Sequence, residues 1–538
     1  MTTIPLPDFS PKLNPWFDAS GEYAGPAEFQ VEGGPSIRGQ GTITWDATGE
    51  CRIVVDVASS SATDAARHGV SDKRLSQFRL TTTDGVFEAA QVMVANTRMH
   101  MGESFTVQIE LVTLAGEFTP AGAGKAKYWA APLTNFISHA KFRSERTDNH
   151  PLRLFPAPVV PAEMPEQQRM RALLIANSKN DLIPFEYEGD AAFIELLPDY
   201  KEQTALLESG AKQTSATSIV AGSLGPHPYS TTQEVKTWFP FDLLFALSLA
   251  SGAHVNAGFI EVRDDSALLV KRFHISPAKE RYEPGARVIH EIISSGSSGS
   301  SATAQLINRV LGIADADKRR LIRVVIGHLI RAGLLRQGLE NSFDHLVRGF
   351  EALTRAQNLS SQNLLDGVPS AEQAAVKGHL KTAQSAIVTL ANTSRTAGDN
   401  LSADRLARIA ARAASADQTE RSFGFAVSSI LTKNALPDEE VVNAHYISHP
   451  RSDGMSWAEV LSAYRAGVIH IGYLELTSGA ALRDVYHYIR HLHDLLVRIL
   501  LIEIGYTGSY QPTVSKWQNP QPVNWVTATT PAEQLGFE

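Results

Sequence analysis

The chain has 538 residues, 43% of them hydrophobic and 20% charged, which is the composition of folded globular protein and excludes a low-complexity chain. Its net charge of −8 excludes a protein whose whole surface coats nucleic acid, while leaving room for a local basic groove. The single cysteine, Cys51, excludes an internal disulfide framework and any cysteine-rich zinc module, so a reducing compartment is the simplest setting.

The start, Met-Thr-Thr-Ile-Pro, lacks the basic stretch and apolar run of a secretory signal, and a cytoplasmic location is expected. From Ser20 to about Phe118 the pattern is strand-like. Gly41–Trp45 and Arg52–Asp56 flank an Ala-Thr-Gly turn, and Phe78–Thr81 and Val86–Ala89 flank Asp84-Gly85, a pair suited to the positive φ angles of tight hairpins. Phe105–Leu111 alternates apolar and polar residues, as a strand with one buried face does. These features predict a β-rich domain of antiparallel sheet over 1–160.

The proline-rich stretch Pro151–Pro165 breaks regular structure, because each proline removes a backbone donor and restrains its predecessor. A mixed α/β segment is expected over 161–293, with a helix at Phe241–Leu249 and a hairpin between Gly258–Val262 and Ala267–Lys271. It either extends the first sheet or forms a second small domain. Ser294–Ser301 has the composition of a flexible linker or an ordered loop.

Beyond Ala304 the periodicity turns helical. Leu321, Ile322, Val325, Leu329 and Ile330 form one apolar face, Leu346, Phe350 and Leu353 another, and Ala371–Thr393 and Ser402–Ala416 continue the pattern. The longest apolar run, Leu495–Ile504, is interrupted by Arg498 and Glu503 and is too short to span a bilayer, so it is read as a core helix and no membrane partner is expected. The fold class expected is α+β, with an all-α domain over 304–515 and a tail over 516–538.

Two R-x4-H spacings occur, where roughly one is expected by chance at this length and histidine content. Arg323 and His328 lie within a continuous amphipathic helix, where residues five apart point about 140° away from each other, and are read as structural. Arg465 and His470 share that spacing, but Gly467 weakens the helix and the 472–479 segment ends it, which lets His470 turn back towards the arginine.

The order of a helix, this R-x4-H pair, a connector with Leu474–Gly479, and the helix His487–Gly505 resembles the Apea-like branch of the HEPN family, associated with abortive phage defence. Phe350-Glu351 matches the family's aromatic-Glu pattern, and Gly21-Glu-Tyr and Gly41–Trp45 are similar, more loosely, to its N-terminal region. The resemblance is concentrated over about 340–510. It implies a metal-independent endoribonuclease without cofactor, with Arg465 and His470 as catalytic residues in a composite cleft of a homodimer or higher homo-oligomer; Glu351 is either a catalytic partner that orients Arg465 or His470 by a charged hydrogen bond or an exposed helix carboxylate. It also implies RNA as substrate, with transfer RNA suggested by the wider family, and an N-terminal sensing or regulatory module answering a phage-derived trigger. The helical region after about Ala304 is then expected to dimerise and cleave RNA alone.

The residue types suit that chemistry. RNA carries its own nucleophile, the 2′-OH; histidine moves a proton near neutral pH, and arginine stays charged while presenting paired donors to phosphate. Arg405, Arg408 and Arg412 fall on one helical stripe and are candidate substrate contacts, or else a solvated face balanced by Asp404 and Asp417. His487 and His491, spaced i, i+4 with His493 nearby, are read as packing or substrate-binding residues rather than metal ligands, because no acidic or cysteine partner accompanies them. The family commonly has a polar residue after the arginine, whereas this chain has Ala466. Two other readings stand beside the nuclease: a catalytically inactive HEPN module that binds RNA or protein, and a protein-interaction scaffold.

Overall fold

The computed structural model describes residues 21–57, 74–137, 182–275, 281–285, 302–357, 365–414, 423–436, 461–465, 479–510 and 521–522, with short breaks inside several of these ranges. The proline-rich stretch, the Gly/Ser stretch, the connector carrying His470 and the final tail lie outside the described residues. The architecture is α+β: an antiparallel β region is followed by a helical one.

The first strands are β1 (Gly21–Val31), β2 (Ser36–Trp45), β3 (Cys51–Val57), β4 (Arg74–Thr81), β5 (Gly85–Ala89), β6 (Val92–Met101), β7 (Phe105–Thr113), β8 (Gly116–Pro120) and β9 (Tyr128–Thr134). Hydrogen bonding runs β1-β2-β3-β7-β6-β4 and returns from β4 to β1, so these strands close into a ring. Alternation fills its interior. Ile53, Val55 and Val57 of β3 and Val107, Ile109 and Leu111 of β7 are buried, as period-2 strands with one inward face require.

The two expected hairpins form, β2 with β3 and β4 with β5. Their turns differ. Gly49 has φ +79°, and a Cβ there would lie 1.9 Å from the Gly258 carbonyl oxygen, so the turn needs glycine for both conformation and space. Gly85 is not in the positive-φ region expected of an Asp-Gly turn. Thr82 Oγ1 instead accepts hydrogen bonds from the N–H groups of Asp84 and Gly85, at 3.0 and 2.9 Å, and a Cβ on Gly85 would meet the Thr119 carbonyl oxygen at 2.3 Å.

From β4 the sheet leaves the ring through β5 and β8 and continues into strands from beyond the proline-rich stretch: β10 (Leu182–Tyr187), β11 (Asp190–Leu196), β12 (Ala216–Ser223), β14 (Phe259–Arg263) and β15 (Leu269–His274), with the short β13 (Asn256–Ala257) on β9. The order β8-β15-β14-β9-β12-β11-β10 makes one sheet of 15 strands. The 161–293 segment therefore extends the first sheet, including the expected β14–β15 hairpin.

This wall is buried on both faces. In β9, Tyr128 and Ala130 join the ring core, while Trp129, Ala131 and Leu133 join a second core shared with the helices. The helices are α1 (Tyr200–Glu208), α2 (Thr232–Trp238), α3 (Phe241–Ser251), α4 (Ala302–Leu311), α5 (Ala316–Gly333), α6 (Leu339–Ala356), α7 (Ser370–Thr396), α8 (Asn400–Ala414), α9 (Phe423–Lys433) and α10 (Gly479–Glu503). Leu243 and Leu247 of α3 lie in the same core as Leu306, Leu329, Leu346 and Leu496 of the later helices. The apolar interior thus crosses the Gly/Ser stretch without a division.

Candidate functional site

Helix α6 carries two kinds of residue on adjoining stripes. Phe343, Leu346, Phe350 and Leu353 turn into the core, as their i, i+3, i+7, i+10 spacing dictates, and Glu351 emerges at the rim of that face, about a quarter exposed. Its Oε1 accepts from Nε and Nη2 of Arg465, at 2.9 and 2.7 Å. The Arg465 guanidinium also lies over the Phe423 ring at the start of α9, 5.1 Å from its centroid. One carboxylate and one aromatic face hold a half-exposed cation with a defined plane.

A separate polar chain links the same group of helices. Lys433 donates to Gln357 Oε1 at 2.9 Å, Gln357 Nε2 donates to Glu503 Oε2 at 2.6 Å, and Lys318 pairs with Glu503 Oε1 at 2.5 Å. It ties α5, the end of α6, α9 and α10 together. Gln357 and Lys433 carry no motif, and only the folded chain brings them together.

The other R-x4-H pair is split between separate partners. Arg323 grips the carboxylate of Asp242 on α3, with Nη2 donating to Oδ2 at 2.8 Å and Nε to Oδ1. His328 faces α6 instead, its Nδ1 3.1 Å from Nδ1 of His345. Burial, followed by the neighbouring His345, pushes the His328 imidazole down to about 4. Arg323 and His328 thus join their helix to two different neighbours.

The remaining sequence candidates are dispersed. Arg405 and Arg408 are exposed on α8, far along the chain's helical hairpin, and Arg412 follows on the same helix, its side chain outside the described residues. His487 and His491 lie in α10, also with side chains outside the described residues. His493 is buried, its Nε2 3.2 Å from the Leu329 carbonyl oxygen, and burial pushes its imidazole down to about 4. Among the described residues there is no group of three or more His, Cys, Asp or Glu able to hold a metal, and no helix long and apolar enough to cross a membrane.

A buried ionic cluster was not anticipated. Glu261 of β14 receives Arg263 Nε at 2.8 Å and Arg272 of β15 through Nε and Nη2 at 2.8 and 2.7 Å. Burial alone would push the Glu261 carboxyl up, but the flanking arginines hold it below its ordinary range. Arg272 also donates to the Tyr23 hydroxyl and lies 3.9 Å from the Trp45 ring centroid. Residues 259, 261 and 263 share one face of β14, and that face is directed at the ring, so the cluster joins β1 and β2 to the wall. Its sequence signal was slight, charged residues alternating with apolar ones, which ordinarily marks a solvated face.

Comparison with protein-family models, curated proteins and solved structures finds no match to this chain.

Proposed function

We propose that the protein is a metal-independent endoribonuclease of the HEPN type, acting in cytoplasmic defence against phage. The observation that carries this reading is the Glu351–Arg465 pair, which holds a half-exposed guanidinium in a fixed plane on the rim of the helical core. Arg465 would stabilise the developing phosphorane, and His470 would move the proton. The 2′-oxygen forms its bond to phosphorus as its proton passes to a base, and the bond to the 5′-oxygen breaks as that oxygen takes a proton. Products then carry 2′,3′-cyclic phosphate and 5′-OH ends, and no water is consumed. Two copies would supply the acid and the base in a composite cleft, with the β region restraining the nuclease until a phage-derived trigger arrives.

A second reading is an RNA-binding module without catalysis. It is favoured by Glu351 already engaging two donor groups of Arg465, on the edge that would otherwise face a phosphate. Incubating total RNA, and separately transfer RNA, with wild type and His470→Ala separates the two. The nuclease reading expects cleavage with cyclic phosphate ends, lost in the variant; RNA retention without cleavage by wild type supports the binding module and ends the nuclease reading.

A further inference from the structure

Helices α7 and α8 form a hairpin unlike the rest of the molecule. With 27 and 15 residues they extend about 40 and 22 Å. They pack closely on each other through small buried residues, Ala391, Ala403 and Ala410, and among the described residues no other element packs extensively against either. Nearly every outward position is exposed, Leu401 by 65% and Ile409 by 51%.

The hairpin is also electrically distinct. Residues 370–414 hold six lysines and arginines against three carboxylates, a charge of +3 in a chain whose net charge is −8. Two of those carboxylates are engaged locally: Asp399 accepts from the Ser402 N–H at 3.0 Å, and Asp404 faces Arg395 at 3.7 Å. Lys381, Arg405 and Arg408 have no carboxylate partner among the described residues. A solvated face needs no such surplus, and two copies of this arm would repel each other, whereas a polyanion would not.

The chain path gives the arm its meaning. It is inserted between α6, which carries Glu351, and α9, which begins at Phe423. Arg465 touches both of these residues, so the helices that precede and follow the arm in the chain meet at the candidate cleavage site. We infer that the α7–α8 hairpin is an RNA-docking arm that takes the phosphate backbone of a structured RNA on Lys381, Arg405 and Arg408 and leads it to Arg465. The delivery step rests on the nuclease reading; the binding step does not.

The test uses the full-length protein and a labelled 24-nucleotide stem-loop RNA, with binding measured by fluorescence anisotropy from 50 to 200 mM salt. Arg405→Gln/Arg408→Gln should weaken binding at least about tenfold at low salt and lower the salt dependence by about two phosphate contacts. The double Lys variant at the same positions should restore both, since a phosphate needs a cation rather than a fork. Arg465→Ala should bind the stem-loop through the arm while failing to cleave it. An absence of cleavage by wild type, with binding still dependent on the arm, would end the nuclease reading and leave the docking arm standing. Equal affinity and salt dependence in wild type and the Gln variant would overturn the proposal, as would a switch from dimer to monomer in that variant with RNA binding unchanged, which would make the arm a self-association surface.

Discussion

Asp242, near the start of α3, is buried beneath the Arg323 guanidinium of α5, and this pair bridges the segment that completes the sheet to the helices beyond the Gly/Ser stretch. Arg319 approaches the same carboxylate at 3.9 Å. Arg323→Ala leaves Asp242 with only that distant cation among the described residues and should lower the unfolding free energy by about 1–3 kcal/mol, read by urea denaturation. Unchanged stability would mean that Arg319 takes over the contact completely.

A fragment beginning near Ala304 should fail to fold. Leu306, Leu329 and Leu346 share their core with Leu243, Leu247 and Trp129, which such a fragment lacks. The sequence expectation of an autonomous helical unit therefore meets a continuous apolar interior. Circular dichroism and sizing of residues 304–515 decide the matter, and a monodisperse, cooperatively melting fragment would contradict the shared core.

Glu261→Ala should be among the most damaging single changes, since it removes the carboxylate that two buried arginines, Arg263 and Arg272, share. A loss of about 3–5 kcal/mol is expected from breaking a buried pair by removing one partner. Thermal melting of the variant reads it directly; a melting point within a few degrees of wild type would show that the arginines reach solvent.

His493 predicts a pH dependence with a definite sign. Its folded value of about 4 lies below the 6.5 of the unfolded chain, so the folded state keeps the imidazole neutral while the unfolded chain takes up a proton. This contribution is fully present above pH 6.5 and is lost as pH falls towards 4, amounting to about 3 kcal/mol. Denaturant titrations at pH 7.5, 5.5 and 4.5 on wild type and His493→Gln should show a steeper decline in wild type. Parallel curves would remove His493 from the account.

At the candidate site, Arg465→Ala should reduce RNA cleavage by about a hundredfold or more, as loss of a transition-state cation does. Glu351→Gln should impair it less, because a neutral amide still receives a hydrogen bond while holding the guanidinium loosely. Cleavage should survive EDTA. Activity lost to the chelator and restored by a single divalent ion would replace the proton-transfer mechanism with a metal-assisted one.

The sequence made the local elements readable wherever period and packing agree. Strands such as Phe105–Thr113 and helices such as α5 and α6 bury the residues that their alternation or 3.6-residue repeat selects. That Glu351 reaches Arg465, 114 positions away, was one of the alternatives the sequence left open, beside a contact with His470 or an exposed carboxylate. Ring closure was not legible, because it depends on β1 pairing on both edges, with β2 and with β4, and pairing partners leave no local mark. The Glu261 cluster was hidden for a related reason: alternating charge looks solvated until another layer covers it. His487, His491 and Arg412 have side chains outside the described residues, and His470 lies wholly outside them, so their sequence-derived roles rest on the mutational tests.

The long sheet ends at β10, and its closing strand has consequences for how molecules meet one another. Pro184 removes a backbone donor from that strand, and Asn308 of α4 accepts the Glu186 N–H at 3.0 Å. At the opposite end the sheet has curled onto itself through the β1–β4 pairing. A neighbouring chain therefore finds little backbone to zip onto, and strand exchange between copies is disfavoured at high concentration. Asn308→Ala would reopen one rung of that edge, and its first symptom should be slow, concentration-dependent aggregation with little change in melting temperature.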